Sequence, residues 1–240
     1  MMTSIMAHVS QTNSSRYRLW LENKRFAESI PEGALVLDAG AGEAPYKALV
    51  SHAMYESADF EKVDKVYAKS TYVCDLSDIP VGDGRYDFIF FNQVMEHLPE
   101  PALVLKELFR ILKPGGKLIY SAPLFYEEHE VPFDFFRYTQ YGVRHLFTQA
   151  GFIIEKLDWL EGYFGTVAYQ MSSMAQYLPS KPRAIETNAL RWLLTLPMFG
   201  LKLQLALCSI LFHTLELRVK YVARDYPKNY VAIVIRPAQH

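Results

Sequence analysis

A glycine-rich turn is the part of this sequence whose residue types and spacing could do chemistry. A short apolar segment leads into Asp38, Gly40 and Gly42 within the run LVLDAGAGEAPY at 35–46. Glycines let a backbone approach a ligand closely, and a helix that starts after such a turn offers free N–H groups. Pro45 stands where a dinucleotide fingerprint needs its third glycine, and no Gly-Lys-Ser/Thr phosphate loop follows. The turn therefore indicates a ligand site of neither of these two phosphate-binding kinds.

Strand and helix patterns alternate along the chain around this turn. Apolar runs bounded by turn residues predict strands, and apolar residues at helical spacing predict helices. The predicted strands are 35–38, 55–58, 71–74, 86–91, 117–122, 152–157 and 230–235, and the predicted helices are 16–30, 44–52, 101–112 and 140–150. Repeated alternation predicts a doubly wound, mostly parallel α/β sheet with helices on both faces. The polar residues 1–15 are expected to be disordered, and residues 16–240 to form one domain.

The first four predicted strands each end in a polar side chain. These strand ends are Asp38, Asp59, Asp75 and Asn92, at intervals of 21, 16 and 17 residues. Each interval is the length of about one strand–helix unit, so the four polar groups are expected to meet along one edge of the sheet. Ligands of open α/β sheets bind outside the carboxyl ends of the strands. A single such acid is often a helix cap, but four in phase with a glycine turn indicate a binding site.

Several stretches together resemble the class I S-adenosylmethionine-dependent methyltransferases, in particular the bacterial group with the ubiquinone/menaquinone-type core. They are LDAGAG, VCDLSDIP, YDFIFFNQVMEHLPEP, LFRILKPGGKLIYSAP and RYTQYGVRHLFTQAGF. The resemblance covers roughly residues 30–157 and the last strand. It implies a Rossmann-like, seven-stranded sheet whose last strand, 230–235, runs antiparallel between the fifth and sixth strands. It also implies S-adenosyl-L-methionine as cofactor and S-adenosyl-L-homocysteine as product, and says little about the methyl acceptor.

The resemblance assigns roles to the polar strand ends. Asp38 and the glycine turn would line the methionine part of the cofactor, and Asp59 would accept both ribose hydroxyls, since a carboxylate has two acceptor oxygens. Asp75 would accept from the adenine amino group, and Asn92 with the residue after it would flank the reactive methyl. The expected cofactor residues are Asp38, Ala39, Gly40, Ala41, Gly42, Asp59, Phe60, Asp75, Leu76, Asn92 and Gln93.

The sequence departs from the resemblance at a metal motif. Quinone O-methyltransferases of this group can carry a Glu-x-x-Glu-His metal site after the fourth strand. Here Gln93 replaces the first acid, ahead of Glu96 and His97. An amide is a poorer ligand for a hard cation than a carboxylate, so no metal is predicted. Glu96 and His97 then have a structural role, or His97 contacts the acceptor.

The loop after the fifth strand, LFYEEHEVPFDFFRYT, combines six aromatic residues with a few polar ones. Methyl transfer needs alignment, exclusion of water and, for a neutral hydroxyl acceptor, a general base. His129 is the predicted base; alternatively it only bonds Glu127 or Glu130. Asp134 and Arg137 contact the acceptor or form a local ion pair. The expected acceptor residues are His97, Phe125, Tyr126, Asp134, Arg137 and Tyr138, and Thr139 is expected to cap the next helix.

About seventy residues separate the last two strands, which is long for a connection in a compact domain. Within them, Trp192–Phe212 holds one charge, Lys202, and is near the length that spans a bilayer. The last strand must return to the sheet, so the pattern predicts two short apolar helices with basic flanks, not a span. A membrane surface with anionic lipid, a lid over a lipidic substrate, a homodimer interface and ordinary packing remain alternatives for this insertion at 160–226.

Composition narrows the function classes. The net charge of −1 does not favour nucleic-acid binding, and the distant pair Cys74 and Cys208 forms no disulfide or zinc motif, which favours the cytoplasm. The sequence therefore predicts an S-adenosylmethionine-dependent methyltransferase that modifies oxygen in a small-molecule, glycan or lipid-linked acceptor. The alternative is a non-catalytic S-adenosylmethionine-binding protein that acts through the apolar insertion. A nucleotide-dependent oxidoreductase is disfavoured by Pro45.

Overall fold

The computed structural model describes residues 14–178, 188–223 and 225–238. The chain folds as two compact units. One unit is Leu19–Leu160 with the last strand and the residues after it, and the other contains Glu161–Lys228 with the residues up to Arg18. The predicted disordered lead-in lies outside the described residues, except for residues 14 and 15, which begin a helix. The residues assigned to a helical insertion thus fall almost wholly within the second unit.

The first unit is built on a seven-stranded sheet. Its strands are β1 Leu35–Ala39, β2 Met54–Asp59, β3 Tyr72–Val73, β4 Tyr86–Asn92, β5 Leu112–Pro123, β6 Ile153–Trp159 and β7 Asn229–Ile235. The strand order is β3-β2-β1-β4-β5-β7-β6, and only β7 is antiparallel to its neighbours, β5 and β6. This topology confirms the Rossmann-like sheet with an antiparallel last strand. The order reverses beside β1, so the ends of β1 and β4 flank the crevice where such sheets bind ligands.

Five α-helices accompany the sheet in the described residues. They are α1 Ser14–Glu28, α2 Pro101–Ile111, α3 Gln140–Gln149, α4 Tyr163–Tyr177 and α5 Asn188–Arg218. The hydroxyl of Thr139 accepts a hydrogen bond from the N–H of Gly142 at 3.2 Å, which confirms Thr139 as the cap of α3. Pro101 stands in the first turn of α2, where its missing N–H removes no helical bond.

Each central strand of the sheet contributes to two separate hydrophobic cores. Leu37, Ile89 and Leu118 belong to the core that α2 and α3 complete, whereas their neighbours Val36 and Phe90 belong to the core that α1 completes. Successive side chains of a strand point to opposite faces, so two cores require that both faces are covered. Burial on both faces leaves only the strand ends for polar chemistry.

The helix expected directly after the glycine turn, at 44–52, is wrong. The structure has a single 3-10 turn there, Lys47–Val50. Ala44 has a φ of 54°, which a right-handed helix cannot include, and Pro45 disfavours helical geometry in the residue before it. The turn therefore ends without a helix N-terminus, and any ligand there must be held by side chains and by individual backbone groups.

The two short helices expected within Trp192–Phe212 are also wrong, because α5 runs through that stretch as one helix of 31 residues. Pro197 lies inside it, at a cost of about 3 kcal/mol relative to alanine. Helix-favouring leucines on both sides of the proline oppose this cost. The stretch Pro197–Arg218 is, by length and composition, apolar enough to cross a membrane, with a mean hydropathy of 1.5.

Candidate functional site

A cavity of about 290 Å³ opens at the carboxyl ends of β1, β2 and β4. It contains seven of the residues predicted for the site: Gly40, Asp59, Phe60, Asp75, Leu76, Gln93 and His97. The residues that the sequence analysis did not assign to it are Lys62, Lys65, Ser77, Val94, Leu98, Pro99, Glu100, Val104, Glu130, Phe133 and Phe135. All of these residues belong to the sheet unit.

The glycine turn contributes Gly40 to the cavity wall, where the backbone is not covered by a side chain. Gly40 has a φ of 76°, and a β-carbon on it would lie 2.3 Å from Cγ2 of Val94. Gly42 has a φ of 53°, with open space where a β-carbon would be. The N–H of Gly42 donates to Oδ2 of Asp59 at 2.8 Å. The turn is thereby fixed to the end of β2.

Asp38 supports the turn from beneath and does not line the cavity. Its carboxyl group is buried and accepts a hydrogen bond from the hydroxyl of Tyr55 at 2.8 Å. Burial, assisted by the charge of Asp59, raises the pKa of Asp38 to about 7. Ala39 and Ala41 are likewise buried beside it. The roles expected for these three residues at the cofactor stay predictions.

Asp59 and Asp75 are the predicted carboxylates among the four that line the cavity; the other two are Glu100 and Glu130. Asp59 accepts hydrogen bonds from the N–H groups of Gly42 and Glu61, which hold it at the end of β2. Asp75 accepts from the N–H and the hydroxyl of Ser77 at 2.9 and 2.8 Å, and these bonds lower the pKa of Asp75. An ionised carboxylate offers only acceptors. This part of the cavity therefore suits ligand groups that donate, such as hydroxyls and amines.

The end of β4 carries backbone strain at the cavity. Gln93 has a φ of 56°, unusual for a residue with a side chain, and its N–H donates to the carbonyl of Ser121 at 2.7 Å. Strain of this kind is often held at functional sites. Asn92 does not line the cavity, since its amide bonds Asn23 and the hydroxyl of Ser121, each at 2.8 Å. Its expected role beside the methyl stays a prediction.

His97 reaches the cavity as a neutral imidazole. Its Nδ1 lies 2.6 Å from the carbonyl of Phe133, a contact that places the proton on Nδ1 and leaves the lone pair on Nε2. Burial lowers the pKa of His97. The Nε2 atom lies 3.9 Å from Oε2 of Glu130, which also lines the cavity. His97 thus offers a proton acceptor at the wall of the cavity.

His129 packs edge-on against His97, with ring centroids 4.6 Å apart, and does not itself line the cavity. Its Nδ1 lies 3.1 Å from the carbonyl of Glu127 and 3.3 Å from Oδ2 of Asp134. The backbone N–H of His129 donates to the same Oδ2 at 2.9 Å. The predicted base is therefore held in place by two groups and contacts the cavity through His97.

Asp134 and Arg137 form the local ion pair that was one of two alternatives for them. Nη1 and Nη2 of Arg137 lie 2.6 and 2.8 Å from the two carboxylate oxygens of Asp134, a bidentate arrangement. The guanidinium holds the pKa of Asp134 well below its usual range. Because Asp134 also contacts His129, the pair positions that ring.

The other expected acceptor residues, Phe125, Tyr126 and Tyr138, are not among the residues that line the cavity. The ring of Tyr126 lies 5.0 Å from that of His129, and the buried hydroxyl of Tyr138 donates to the carbonyl of Met95 at 3.1 Å. Phe125 is partly exposed. The aromatic residues that do line the cavity from this loop are Phe133 and Phe135. Irregular loops have no period, so the sequence could not show which of its six aromatics face inward.

Glu96 lies buried beneath the histidine pair. Neither of its carboxylate oxygens accepts a hydrogen bond from the part of the chain that the structure describes. Burial raises the pKa of Glu96 to about 8, so it is a neutral acid at pH 7. One ligand atom each from Glu96, His97 and His129 lie within 4.8 Å of one another, a spacing that would also suit a metal ion. The absence of a metal from the reaction stays a prediction.

We expect Gly40→Ala to destabilise the fold far more than Gly42→Ala. Both variants place alanine at a positive φ, at a cost of about 1–2 kcal/mol. Only the β-carbon at Gly40 meets Val94, which adds about 1–3 kcal/mol of overpacking. Thermal unfolding followed by circular dichroism should show a melting temperature lowered by roughly 5–15 °C for Gly40→Ala. Equal shifts in the two variants would contradict the close contact.

Glu96→Gln should change how stability depends on pH. The folded pKa of about 8 lies above the ordinary value of 4.5. Glu96 therefore contributes fully below pH 4.5, and this contribution falls by about 1.4 kcal/mol per pH unit until about pH 8. Glu96→Gln lacks this loss. The free energy of unfolding of the variant minus that of the wild type should therefore increase as the pH rises from 4.5 to about 8. Urea titrations of both proteins with EDTA at pH 5 and pH 8 measure this difference in the free energy of unfolding. A difference that is the same at the two pH values would refute the buried neutral acid.

Comparison with known proteins agrees with this geometry. A methyltransferase domain family matches residues 13–156. A demethylmenaquinone methyltransferase of Geobacillus sp. is 24% identical over 180 residues, covering 65% of this chain and 76% of the relative. A tRNA (carboxymethyluridine(34)-5-O)-methyltransferase of Arabidopsis thaliana is 28% identical over 116 residues, covering 45% of this chain.

The chain spans only 29% of the length of the Arabidopsis relative. Among solved structures, the complex between the Haloferax volcanii Trm112 methyltransferase activator and a methyltransferase matches with a TM-score of 0.57. Identity is 18%, and the match covers 98% of this chain and 96% of that one, so the likeness concerns the fold. With the family match over more than half of the chain, the sheet order and the cavity at the ends of β1, β2 and β4, the protein belongs to the class I S-adenosylmethionine-dependent methyltransferases.

Proposed function

We propose that the protein is an enzyme that methylates an oxygen atom of an acceptor bound beside His97. The observation that carries the proposal is one cavity lined by Gly40 of the glycine turn, by the predicted carboxylates Asp59 and Asp75, and by the neutral His97. A site for the cofactor alone would not need a proton acceptor within the same cavity. A general base is useful when the acceptor is a neutral hydroxyl.

The residues of the cavity fit the cofactor of the family. Gly40 gives close access to backbone, and Asp59 and Asp75 are acceptors for the ribose hydroxyls and the adenine amino group. Phe60 and Leu76 supply apolar surface next to these two acids. S-adenosylmethionine, when bound, supplies an electrophilic methyl group on its sulfonium and leaves as S-adenosylhomocysteine. The site residues assigned from the sequence are part of this proposal.

We propose that the histidine pair removes the proton of the acceptor hydroxyl. Nε2 of His97 would accept the proton of the acceptor hydroxyl, and Glu130, whose Oε2 lies 3.9 Å away, would stabilise the imidazolium. His129, predicted as the base from the sequence, packs against His97 and is held by Asp134. We propose that the two rings act together, with His97 at the cavity and His129 behind it. Phe133 and Phe135 help to exclude water.

The acceptor is proposed to be a small molecule, a glycan or a lipid-linked intermediate, and not a nucleic acid. The net charge of −1 argues against a strong phosphate-binding surface. The relative that acts on tRNA is the reason to test this point directly. A cytoplasmic location is retained, since Cys74 and Cys208 are both free thiols. The competing function, cofactor binding without turnover, would leave the histidine pair without a chemical role.

We expect the protein to bind S-adenosylmethionine and S-adenosylhomocysteine, with Asp59→Asn at least tenfold weaker for both. The substitution removes a charge and one acceptor from the carboxylate that lines the cavity. Asp83→Asn is the matched control, because Asp83 is an exposed carboxylate paired with Arg110 outside the cavity. Calorimetric titration measures the affinities. If the folded wild type binds neither ligand, the proposed function is wrong.

We expect His97→Gln and His129→Gln each to lower kcat at least tenfold and leave the cofactor affinity unchanged. Tritiated S-adenosylmethionine with a panel of catechols, hydroxyquinones, nucleotide sugars and total tRNA identifies an acceptor for this assay. The base must be neutral, and burial lowers the pKa of His97 from 6.5. The turnover of the wild type should therefore fall only as the pH drops below 6.5, and His97→Gln should lose this dependence. Unchanged turnover in both variants would refute the assignment.

A further inference from the structure

On helix α5 the buried side chains are polar, and large apolar side chains are exposed. Ser209, His213 and Glu216 lie on one face of the helix, at spacings of four and three residues, and all three are buried. The hydroxyl of Ser209 donates to the carbonyl of Ala168 on α4 at 2.9 Å. The carboxylate of Glu216 accepts the N–H groups of Gly162 and Gly165 and pairs with Arg18 at 2.9 Å. Polar bonds therefore attach this face to its own unit.

The opposite face of α5 is apolar and exposed. Phe199, Leu203, Leu207 and Leu211 recur every fourth residue, and these side chains with Ile210 are 52% to 59% exposed. Only 11% of the most apolar window in Pro197–Arg218 is buried. A helix in water has the reverse arrangement, with its apolar stripe toward the core. The outward face of α5, defined by these five residues, is thus suited to an apolar surrounding.

The charges of α5 fit a bilayer surface. Lys202 is the one Lys, Arg, Asp or Glu between residues 197 and 215, and its Nζ lies 3.4 Å from the carbonyl of Leu178 in its own unit. The acid Glu216 is buried, whereas Arg218 at the end of the helix is exposed. An apolar face with an exposed basic end complements the hydrocarbon and the anionic head groups of a membrane.

Aromatic residues and chain topology define how such a surface would be used. Tyr177 at the end of α4 and Tyr221 just after α5 are exposed, as tyrosines at a membrane–water interface often are. The 22 residues of Pro197–Arg218 extend about 33 Å, which is close to the thickness of a bilayer core. A single crossing would place β6 and β7 on opposite sides of the membrane, yet these strands pair in one sheet. Contact along one leaflet is therefore the arrangement compatible with the fold.

From the inverted polarity of α5 we infer that its outward face inserts into the surface of an anionic lipid bilayer. The helix lies along the leaflet, its apolar side chains enter the acyl region, and the face with Ser209, His213 and Glu216 stays against its own unit. Arg218 contacts lipid head groups. This inference does not rest on the proposed reaction, and it gives the helical unit a partner of defined chemistry.

The test is sedimentation of the full chain with sucrose-loaded vesicles of phosphatidylcholine and phosphatidylglycerol at 3:1. Ile210→Asp places a charge on the outward face, where Ile210 is 57% exposed, and should lower the lipid partition coefficient at least tenfold. Ile153→Asp is the matched control, since Ile153 is 56% exposed on β6. The control should sediment as the wild type does. Vesicles of phosphatidylcholine alone should bind the wild type more weakly.

Three results would overturn the inference. They are no sedimentation of the wild type at low salt, equal losses in Ile210→Asp and Ile153→Asp, and a wild-type dimer without lipid that Ile210→Asp converts to a monomer while vesicles bind neither. The last result would assign the outward face to a second copy of the chain. Binding of S-adenosylhomocysteine, measured on every variant, shows that the sheet unit is folded. If the wild type does not bind S-adenosylhomocysteine, the proposed reaction is contradicted. The fraction of protein that sediments with vesicles would still test the membrane inference independently.

Discussion

Gly40 and Val94 are packed so closely that no β-carbon fits between them, and the position of the cavity depends on this contact. Gly40 follows β1 within the glycine turn, and Val94 comes two residues after β4. The contact brings together the two neighbouring strand ends where the sheet order reverses. Gln93 takes its strained conformation immediately before Val94, and the turn that carries His97 begins immediately after it. One steric constraint thus links the carboxylate side of the cavity to the histidine side.

Burial divides the ionisable groups of the site into neutral and charged sets. Asp38, Glu96 and His97 lie where desolvation disfavours the charged form, so the pKa values of the two acids are raised and the pKa of the histidine is lowered. Asp75 and Asp134 have hydrogen-bond donors or a guanidinium beside them and stay ionised. In the proposed oxygen methylation, the charged carboxylates would accept hydrogen bonds from the cofactor and the neutral imidazole would take the proton of the acceptor. The two environments differ in how deeply each group is buried and in whether donors lie beside it.

The helical unit and the sheet unit differ in where their apolar side chains lie. In the sheet unit, both faces of the strands are covered and the apolar side chains are enclosed in two cores. In α5 the buried positions are polar and paired, and apolar residues such as Leu207 and Ile210 are exposed. Burial of Glu216 is compensated by two N–H donors and by Arg18. The contrast explains why one chain combines a conventional sheet with a helix suited to lipid.

The sequence determined the sheet and the identity of its ligand-bearing edge. Strand patterns that end in Asp38, Asp59 and Asp75 at regular intervals place these three side chains along one edge of the sheet, because the carboxyl ends of parallel strands meet there. The glycine turn and its neighbours carried the family resemblance in the same way. Helix signals at α2 and α3, including Thr139 as a cap, are local and were equally readable.

Only the tertiary structure decided which side chains meet. The paths of the loops have no sequence period. They decide whether Asp38 lines the cavity or supports it, and whether His97 or His129 reaches the cavity wall. They also decide that Asp134 pairs with Arg137. Ala44 took a left-handed conformation that composition does not reveal, and this removed the helix expected after the glycine turn. Burial is likewise a property of the packed molecule, so the sequence did not show that Ser209, His213 and Glu216 of α5 are buried while Leu207 and Ile210 are exposed. Local patterns fix elements, whereas the orientation of each side chain follows from long-range packing.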